Sequence, residues 1–201
     1  DYNEYIKITH RKKLVYLWGG KLLADDVSVS VPWQMAKDYC LWLGKMSGKR
    51  VDLPTEAQWE YAARSRGQYL PYATSNGKIE EGVNVPTSDE ILKMNDMGFP
   101  FYPVGKYPPN PLGLYDMGLS GQEWANDWYA ADYYAHSPVD NPQGPESGDR
   151  KVQRGYPGGD YQYALTMFRE SDFPSPLLNG RKAEDYRFSP KYVFRCVVNN
   201  G

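Results

Sequence analysis

The run from Leu53 to Arg64, LPTEAQWEYAAR, constrains the fold of this chain more than any other segment. The hydroxyl of Thr55 can accept from the exposed amides of a first helical turn, and Gln58, three residues later, can bond back to the amide of Thr55. Trp59 and the alanines after it then fall on one apolar face. The run therefore predicts a short helix that begins at a capping box and buries one side.

A longer helix is predicted just before it, over residues 33–47. Trp33, Cys40 and Leu43 recur at helical spacing along one stripe. Gly48 follows where a glycine commonly ends a helix. These two segments are the main helices that we expect.

The remainder is predicted to consist of short strands and long loops. The 201 residues include 18 Tyr, 6 Trp and 6 Phe beside 19 Gly and 16 Pro, a composition that favours aromatic rings holding irregular segments over a helical bundle. Strands are predicted at Leu14–Trp18, Lys151–Arg154 and Tyr192–Val198, whereas regular pattern fades after Gly67. No linker interrupts the chain, so we predict one α+β domain over residues 1–201.

Charge and hydropathy argue against nucleic-acid binding and against a transmembrane segment. The formal net charge is −2 and the charges are mixed, so no basic tract predicts nucleic-acid binding. No stretch approaches the roughly 20 apolar residues that cross a bilayer. Asp1 begins a polar and aromatic run without a signal-peptide pattern, and we interpret the chain as a mature or trimmed form, with a lipid anchor upstream left open.

The two cysteines, Cys40 and Cys196, lie far apart in the chain. They cannot form a four-thiolate metal site, and their spacing is not that of a CxxC redox motif. From spacing alone, two unrelated buried thiols and one long-range disulfide are equal alternatives.

Three sets of motifs share an order and spacing over roughly residues 27–198. They are Val31–Trp42 with Leu53–Arg64; Pro103–Lys106, Pro109–Met117, Glu123-Trp124 and Asp127-Trp128; and Val152–Gly155 with Phe194-Arg195. Together they resemble the formylglycine-generating (sulfatase-modifying) family. The resemblance implies a variant C-type-lectin-like fold, loop-rich, with short antiparallel strands and two main helices. The family's N-terminal strands are shortened or missing here, unless residues 1–20 replace them.

The resemblance also defines what the cysteines imply. Formylglycine-generating enzymes oxidise a substrate cysteine with copper held by two cysteines, because soft thiolates suit Cu(I). The corresponding segment here, Arg154–Arg169, has no cysteine, so we expect no copper chemistry. In some secreted members a cysteine of the first helix pairs with one directly after the terminal Phe-Arg, and Cys40 and Cys196 occupy those positions. The resemblance thus implies a disulfide and a periplasmic or secreted location.

Other metals are weaker candidates. Histidine occurs only as His10 and His136, too few for the three-histidine iron site of related synthases. The family often holds structural calcium, which accepts 6–8 oxygen ligands. The candidate calcium ligands by resemblance are Asn84, Asn95, Asp96, Ser120 and Glu123. The alternative is that Glu123 and Asp127 are hydrogen-bonded supports of the core.

A partner-binding cleft is predicted in the variable region where the family places its own. Tyrosine offers contact area with few rotamers to freeze. The candidate cleft residues are Tyr129, Tyr133, Tyr134, Tyr156, Asp160, Tyr161, Tyr163 and Arg169. The alternative is that these rings pack loops. Glu56 and Glu60, one helical turn apart, are interpreted as capping and ion-pair residues rather than an acid–base pair.

The leading hypothesis is a non-catalytic, extracytoplasmic module that binds a protein or peptide, such as a secretion-machinery component or a periplasmic immunity protein facing a secreted toxin. The first alternative is a divergent oxidoreductase of the same superfamily with non-copper chemistry. Its candidate residues would be Asp160, Arg169, Glu170 and Arg195, with no evident nucleophile. The second alternative is a carbohydrate-binding domain, although the calcium tripeptides of true lectins are absent.

Overall fold

A computed structural model describes residues 2–9, 17–18, 21–22, 30–95, 103–156, 161–175 and 192–199. The helices in these ranges are α1 (Tyr2–Ile8), α2 (Trp33–Ser47), α3 (Glu56–Ala63) and α4 (Ser88–Asn95). The strands are β1 (Leu17–Trp18), β2 (Lys21–Leu22), β3 (Val51–Asp52), β4 (Gln122–Trp128), β5 (Lys151–Arg154), β6 (Arg169–Asp172), β7 (Tyr192–Val193) and β8 (Val197–Val198). No helix within these ranges is long and apolar enough to cross a membrane. The mixed, loop-rich architecture confirms the predicted α+β fold class.

The two predicted helices form as the sequence indicates. Helix α2 ends at Gly48, whose φ of 66° is left-handed and whose N–H bonds to the carbonyl of Gly44, a conformation that glycine adopts without steric cost. At the start of α3, the amide of Gln58 donates to Oγ1 of Thr55 over 3.2 Å. The amide of Thr55 donates to Oε1 of Gln58 over 2.9 Å. The capping box is confirmed.

Helix α4 departs from the irregular structure that the sequence pattern indicates after Gly67. The sequence signal for this helix nevertheless lies within a few residues of its start. Thr87 precedes the helix, its amide donates to Oε2 of Glu90 over 2.8 Å, and the amide of Glu90 donates back to Oγ1 of Thr87 over 3.2 Å. This is a second capping box, three residues apart as in α3.

The principal sheet has the order β6-β5-β4-β7. Strands β5 and β6 pair antiparallel from Lys151↔Asp172 to Arg154↔Arg169. Strand β4 pairs antiparallel with β5 but parallel with β7. This parallel pair departs from the expected antiparallel strands.

The predicted strand Tyr192–Val198 is in fact two strands in different sheets. Strand β7 lies at the edge of the principal sheet, whereas β8 pairs antiparallel with β3 through Val51↔Val198. The interruption falls at Cys196, which is covalently bonded to Cys40 of α2. At the other end of the chain, only Leu17–Trp18 of the predicted strand Leu14–Trp18 lies within the described residues, and it pairs with β2.

The disulfide between Cys40 and Cys196 is present, and it lies in the main core. Cys40 is fully buried on α2. Beside it, the ring of Trp124 stacks on Tyr192 with centroids 5.4 Å apart. The indole N–H of Trp124 donates to the carbonyl of Val31 over 2.8 Å. The bond therefore joins α2 to the C-terminal strands inside a packed apolar cluster.

Helix α1 packs against α2 through aromatic side chains. The ring of its Tyr5 lies 5.4 Å from Tyr39 and 5.2 Å from Trp42, and Tyr2 lies 6.1 Å from Phe194. In the described part of residues 1–20, this helix and β1 stand where the family's N-terminal strands were expected. The sequence pattern does not indicate a helix here.

Candidate functional site

The carboxylate of Glu56, at the start of α3, is the centre of a buried ion-pair network. Its side chain is 1% exposed, and Arg154, at the end of β5, is 0% exposed. Nη1 of Arg154 donates to Oε1 of Glu56 over 2.9 Å, and Nη2 donates to Glu60 over 2.9 Å. The prediction that Glu56 and Glu60 form ion pairs is confirmed.

A second arginine reaches the same carboxylate from β6. Arg169 donates through Nε to Oε1 of Glu56 over 2.7 Å and through Nη2 to Oε2 over 2.8 Å. This two-pronged pair fixes the plane of the guanidinium. The side chain of Arg169 is 19% exposed, so one part of the network reaches the surface.

Two tyrosines pack against the guanidinium of Arg169, at 5.0 Å from the ring of Tyr129 and 4.9 Å from that of Tyr134. We call these three residues the Arg169 cluster. Tyr134 is 41% exposed. Burial, and secondly the charge of Glu56, raise the pKa of its phenol, so the hydroxyl stays protonated and able to donate. The cluster is a pre-ordered surface of two rings and one cation.

A second aromatic group forms around Tyr163. The ring of Tyr163 is 5.1 Å from Tyr156 and 5.2 Å from Phe168, the residue before Arg169. Tyr163 is 37% exposed. The structure thus places Tyr129, Tyr134 and Arg169 in one cluster, and Tyr156 and Tyr163 in a second aromatic group.

The other predicted cleft residues are placed differently. The hydroxyl of Tyr161 donates to the carbonyl of Pro86 over 2.8 Å, and burial raises the pKa of Tyr161 to about 12. Tyr133 is 8% exposed, and its hydroxyl accepts from the amide of Gly144 over 3.0 Å. Both hydroxyls therefore bond to the main chain of neighbouring loops. Asp160 lies outside the described residues.

Among the candidate calcium ligands, Glu123 is already compensated by a cation. Its oxygens accept from Nη2 of Arg195 over 2.7 Å, from Nε of Arg195 and from the indole N–H of Trp59 over 3.0 Å. Asn84 is engaged within its own loop, with Oδ1 accepting from the amide of Glu80 over 2.9 Å. Glu123 and Arg195 thus form an ion pair inside the fold.

The remaining candidates add no further ligand geometry. Ser120 lies in the bend before β4, whereas the side chain of Asn95 and the whole of Asp96 lie outside the described residues. No group of three or more His, Cys, Asp or Glu in the described ranges could hold a metal ion. Calcium binding stays a prediction.

The residues of this chain do not fit the family's copper ion. Both cysteines are consumed in the disulfide, so neither offers the thiolate that Cu(I) prefers. Where the copper cysteines would follow Arg154, the described part of the segment contains a short helix, Tyr161–Ala164, with aromatic side chains. The donor set that the copper reaction requires is therefore missing from this chain.

Two buried charged groups lie next to the network: Lys151, to which the sequence analysis assigns no role, and Asp127, which it names as a possible hydrogen-bonded support of the core. Lys151 is 4% exposed, and its ammonium lies 3.7 Å from the ring of Trp128 and 4.0 Å from that of Trp33. Burial lowers the pKa of Lys151 to about 8. Asp127 is 2% exposed; its Oδ2 accepts from the amide of Glu56 over 2.8 Å, while Oδ1 is buried without a hydrogen bond among the described residues.

Asp127 should make stability depend on pH. Burial, and then the charge of Glu56, raise the pKa of Asp127 to about 6, against about 3.9 in an unfolded chain. Between about pH 4 and pH 6 the folded protein binds more protons than the unfolded chain, so this group makes stability fall as pH rises. Asp127→Asn keeps an oxygen for the amide of Glu56 but cannot ionise. We expect it to exceed the parent in unfolding free energy above pH 6, by about 3 kcal/mol.

Urea unfolding at intervals from pH 4 to pH 7 measures this difference. Asp140→Asn, at an exposed carboxylate, should leave the pH profile of the parent unchanged. A constant difference between Asp127→Asn and the parent at every pH would contradict the assignment.

Comparison with known proteins places this architecture in a family. The model described as "Sulfatase-modifying factor enzyme 1-like domain" matches residues 19–200. The serine/threonine-protein kinase Pkn1 of Chlamydia trachomatis is 36% identical over 163 residues, which are 77% of this chain and 23% of the kinase. The formylglycine-generating enzyme of Streptomyces coelicolor is 36% identical over 132 residues, 63% of this chain and 40% of that enzyme.

Two further similarities bear on the fold and on activity. Inactive C-alpha-formylglycine-generating enzyme 2 of Bos taurus is 37% identical over 114 residues, 53% of this chain and 33% of that protein. The structure of PvdO from Pseudomonas aeruginosa matches with a TM-score of 0.66 at 23% identity, over 97% of this chain and 74% of that one, a likeness of fold. The chain spans less than half the length of these curated relatives. It belongs to the sulfatase-modifying factor enzyme 1-like domain family.

Proposed function

We propose that this domain is a non-catalytic member of its family, which binds a protein or peptide partner outside the cytoplasm. The observation that carries the proposal is the pre-ordered Arg169 cluster, because arginine and tyrosine held rigid at a surface are the residues most often decisive in protein interfaces. Its guanidinium is fixed by Glu56 from beneath. Folding has already ordered these side chains, so a partner would bind them with a smaller loss of conformational entropy.

The state of the cysteines supports the non-catalytic part. Cys40 and Cys196 form a disulfide in the core, which leaves no thiol for the family's oxidation chemistry. Such a bond persists in oxidising compartments and rarely in a reducing cytosol, which supports a periplasmic or secreted location. One similar bovine protein is named inactive. In the Chlamydia kinase, the matching segment is only 23% of the protein. Both similarities support a domain that functions without the oxidase activity.

Site-specific photo-crosslinking tests the surface. A benzoylphenylalanine introduced at Tyr134 or Tyr163, expressed in the native compartment, should crosslink a defined partner. The same probe at Tyr69, which is 82% exposed and outside both aromatic groups, is the matched control. Equal crosslinking from Tyr69 would contradict this surface as the interface.

With the partner in hand, Tyr134→Ala should weaken its binding about tenfold or more, because a truncated interface tyrosine commonly costs over 1 kcal/mol. Tyr69→Ala should leave the dissociation constant within about twofold. Binding that survives Tyr134→Ala unchanged would count against the proposal.

The alternative function, that of a divergent oxidoreductase, is tested by separate measurements. Metal analysis of the purified protein, together with mass spectrometry of a cysteine-containing peptide incubated with it and oxygen, would detect the activity. Stoichiometric copper or iron, or conversion of the peptide cysteine to formylglycine, would overturn the non-catalytic assignment.

A further inference from the structure

A polar cavity of about 660 Å³ opens on the side of the fold where β3 and β8 pair. The residues that line it and carry polar side chains include Arg50, Asp52, Gln58, Asn126, Gln143 and Asn199. We call it the amide pocket. None of the predicted cleft residues lines it, so it is separate from the Arg169 cluster.

The acceptor atoms of the amide pocket are largely occupied by the protein itself. Oδ1 of Asn126 accepts from the ammonium of Lys37 over 2.8 Å, and Oδ1 of Asn199 accepts from Nε2 of Gln58 over 2.8 Å. The carboxylate of Asp52 accepts from Lys37 over 2.7 Å and from the amide of Leu53 over 2.7 Å. Each of these oxygens therefore shares its lone pairs with a donor of the protein, and a ligand would have to share them too.

The donors of the same residues remain available. Among the described contacts, Nδ2 of Asn126, Nδ2 of Asn199 and the guanidinium of Arg50 have no hydrogen-bond partner. Asn126 and Asn199 are half-buried and Arg50 is exposed. The exposed Gln143 offers the opposite polarity, since its Nε2 donates to Asn141 and its Oε1 is left as an acceptor.

The charged residues that line the amide pocket are Arg50 and Asp52. Asp52 is already paired with Lys37, which also bonds the side chain of Asn126. Arg50 has no ionic partner among the described residues, so its positive charge is the one that is open to a ligand. An anion entering here would gain attraction from a partly desolvated surface.

We infer that the amide pocket binds a peptide carboxylate, held by the amide nitrogens of Asn126 and Asn199 and the guanidinium of Arg50. A carboxylate only accepts, and its two oxygens can take about four hydrogen bonds. This matches three donor groups with no competing partner among the described residues. A neutral sugar would gain nothing from the charge of Arg50, and its hydroxyl protons would share the asparagine oxygens with Lys37 and Gln58.

Titration of the ¹⁵N-labelled protein with N-acetyl-tetraglycine, followed by NMR, tests the inference. The side-chain amide resonances of Asn126 and Asn199 should shift saturably. The same peptide with an amidated C terminus should leave them in place. A third, amidated peptide with one central glutamate shows whether a side-chain carboxylate serves as well as a chain terminus. Either of these carboxylate sources supports the site and tells which partner group it takes.

Asparagine-to-aspartate variants make the test specific. Asn126→Asp and Asn199→Asp keep the oxygens that accept from Lys37 and Gln58, so the local bonds of the fold are retained. Each replaces a donor by a negative charge, and we expect affinity for N-acetyl-tetraglycine to fall at least tenfold. Arg50→Gln, at an exposed residue, should weaken binding similarly and serves if an aspartate variant fails to fold.

Gln68→Glu is the matched control, because it adds one negative charge at an exposed residue that does not line the amide pocket. Its affinity should stay within about twofold of the parent. Absence of shifts up to about 10 mM peptide, where binding would be worth under about 3 kcal/mol, would overturn the inference. Equal shifts with the amidated tetraglycine or with glucose would also overturn it. Because no residue of the Arg169 cluster is changed, failure here leaves the proposed interface untouched.

Discussion

Replacing Glu56 by glutamine is expected to lower the free energy of unfolding by about 3–5 kcal/mol, the usual cost of breaking a buried ion pair from one side. Arg154 is 0% exposed and would lose its buried anion. Arg169 would lose the carboxylate that receives its Nε and Nη2. Urea unfolding followed by tryptophan fluorescence measures the loss.

Glu60→Gln provides the comparison on the same helix. Glu60 also pairs with Arg154, but its side chain is 27% exposed, so water can replace part of the lost interaction. We expect about 1 kcal/mol or less. Equal losses in unfolding free energy for Glu56→Gln and Glu60→Gln would contradict the large contribution to stability that we assign to the buried network.

Removing the disulfide is expected to have a comparable effect. The Cys40→Ala, Cys196→Ala double variant releases a loop closed over a sequence separation of 156 residues. The chain-entropy model gives a loss of up to about 5 kcal/mol for such a loop. Urea unfolding of the oxidised parent, the reduced parent and the double variant measures this difference.

The reduced parent and the double variant should unfold at similar urea concentrations, well below the oxidised parent. Thiol titration of the protein isolated from its native compartment should find free cysteine only after reduction. Coincident unfolding curves for the three samples would contradict a stabilising role for the bond.

The two main helices could be predicted because their signals are local. The Thr55–Gln58 box lies within four residues, and the left-handed Gly48 directly follows α2. The Thr87–Glu90 box of α4 is equally local, so that helix was within reach of the sequence, and the expectation of irregular structure after Gly67 overlooked it.

The strands and the network were less predictable because they depend on distant partners. The apolar run at Tyr192–Val198 carries no mark of its division between two sheets, since that division depends on β3, β4 and the bond to Cys40. The motif resemblance placed Arg169 in the cleft region. Its partner, Glu56, lies 113 residues earlier in the chain, and no periodicity relates such positions.

The residues of the amide pocket could not be grouped from the sequence either. Its residues come from the segment around β3, from α3, from β4, from the loop after Asp140 and from the end of β8. Each asparagine alone is an ordinary polar residue. Only the folded arrangement reveals that both line one cavity, with oxygens that accept from the protein and amide nitrogens that have no partner in the described part of the chain.

The disulfide also decides how the molecule would carry mechanical load. A pulling force applied along the main chain from outside both cysteines would pass from Cys40 to Cys196 through the covalent bond and bypass everything between them. Helix α3, the Glu56 network, the Arg169 cluster and all four strands of the principal sheet lie in that bypassed stretch. They would feel no tension until the bond was reduced, when roughly 500 Å of chain at ~3.3 Å per residue would become extensible. A partner held by this part of the fold could therefore be dragged through its chain ends without the interface being stretched.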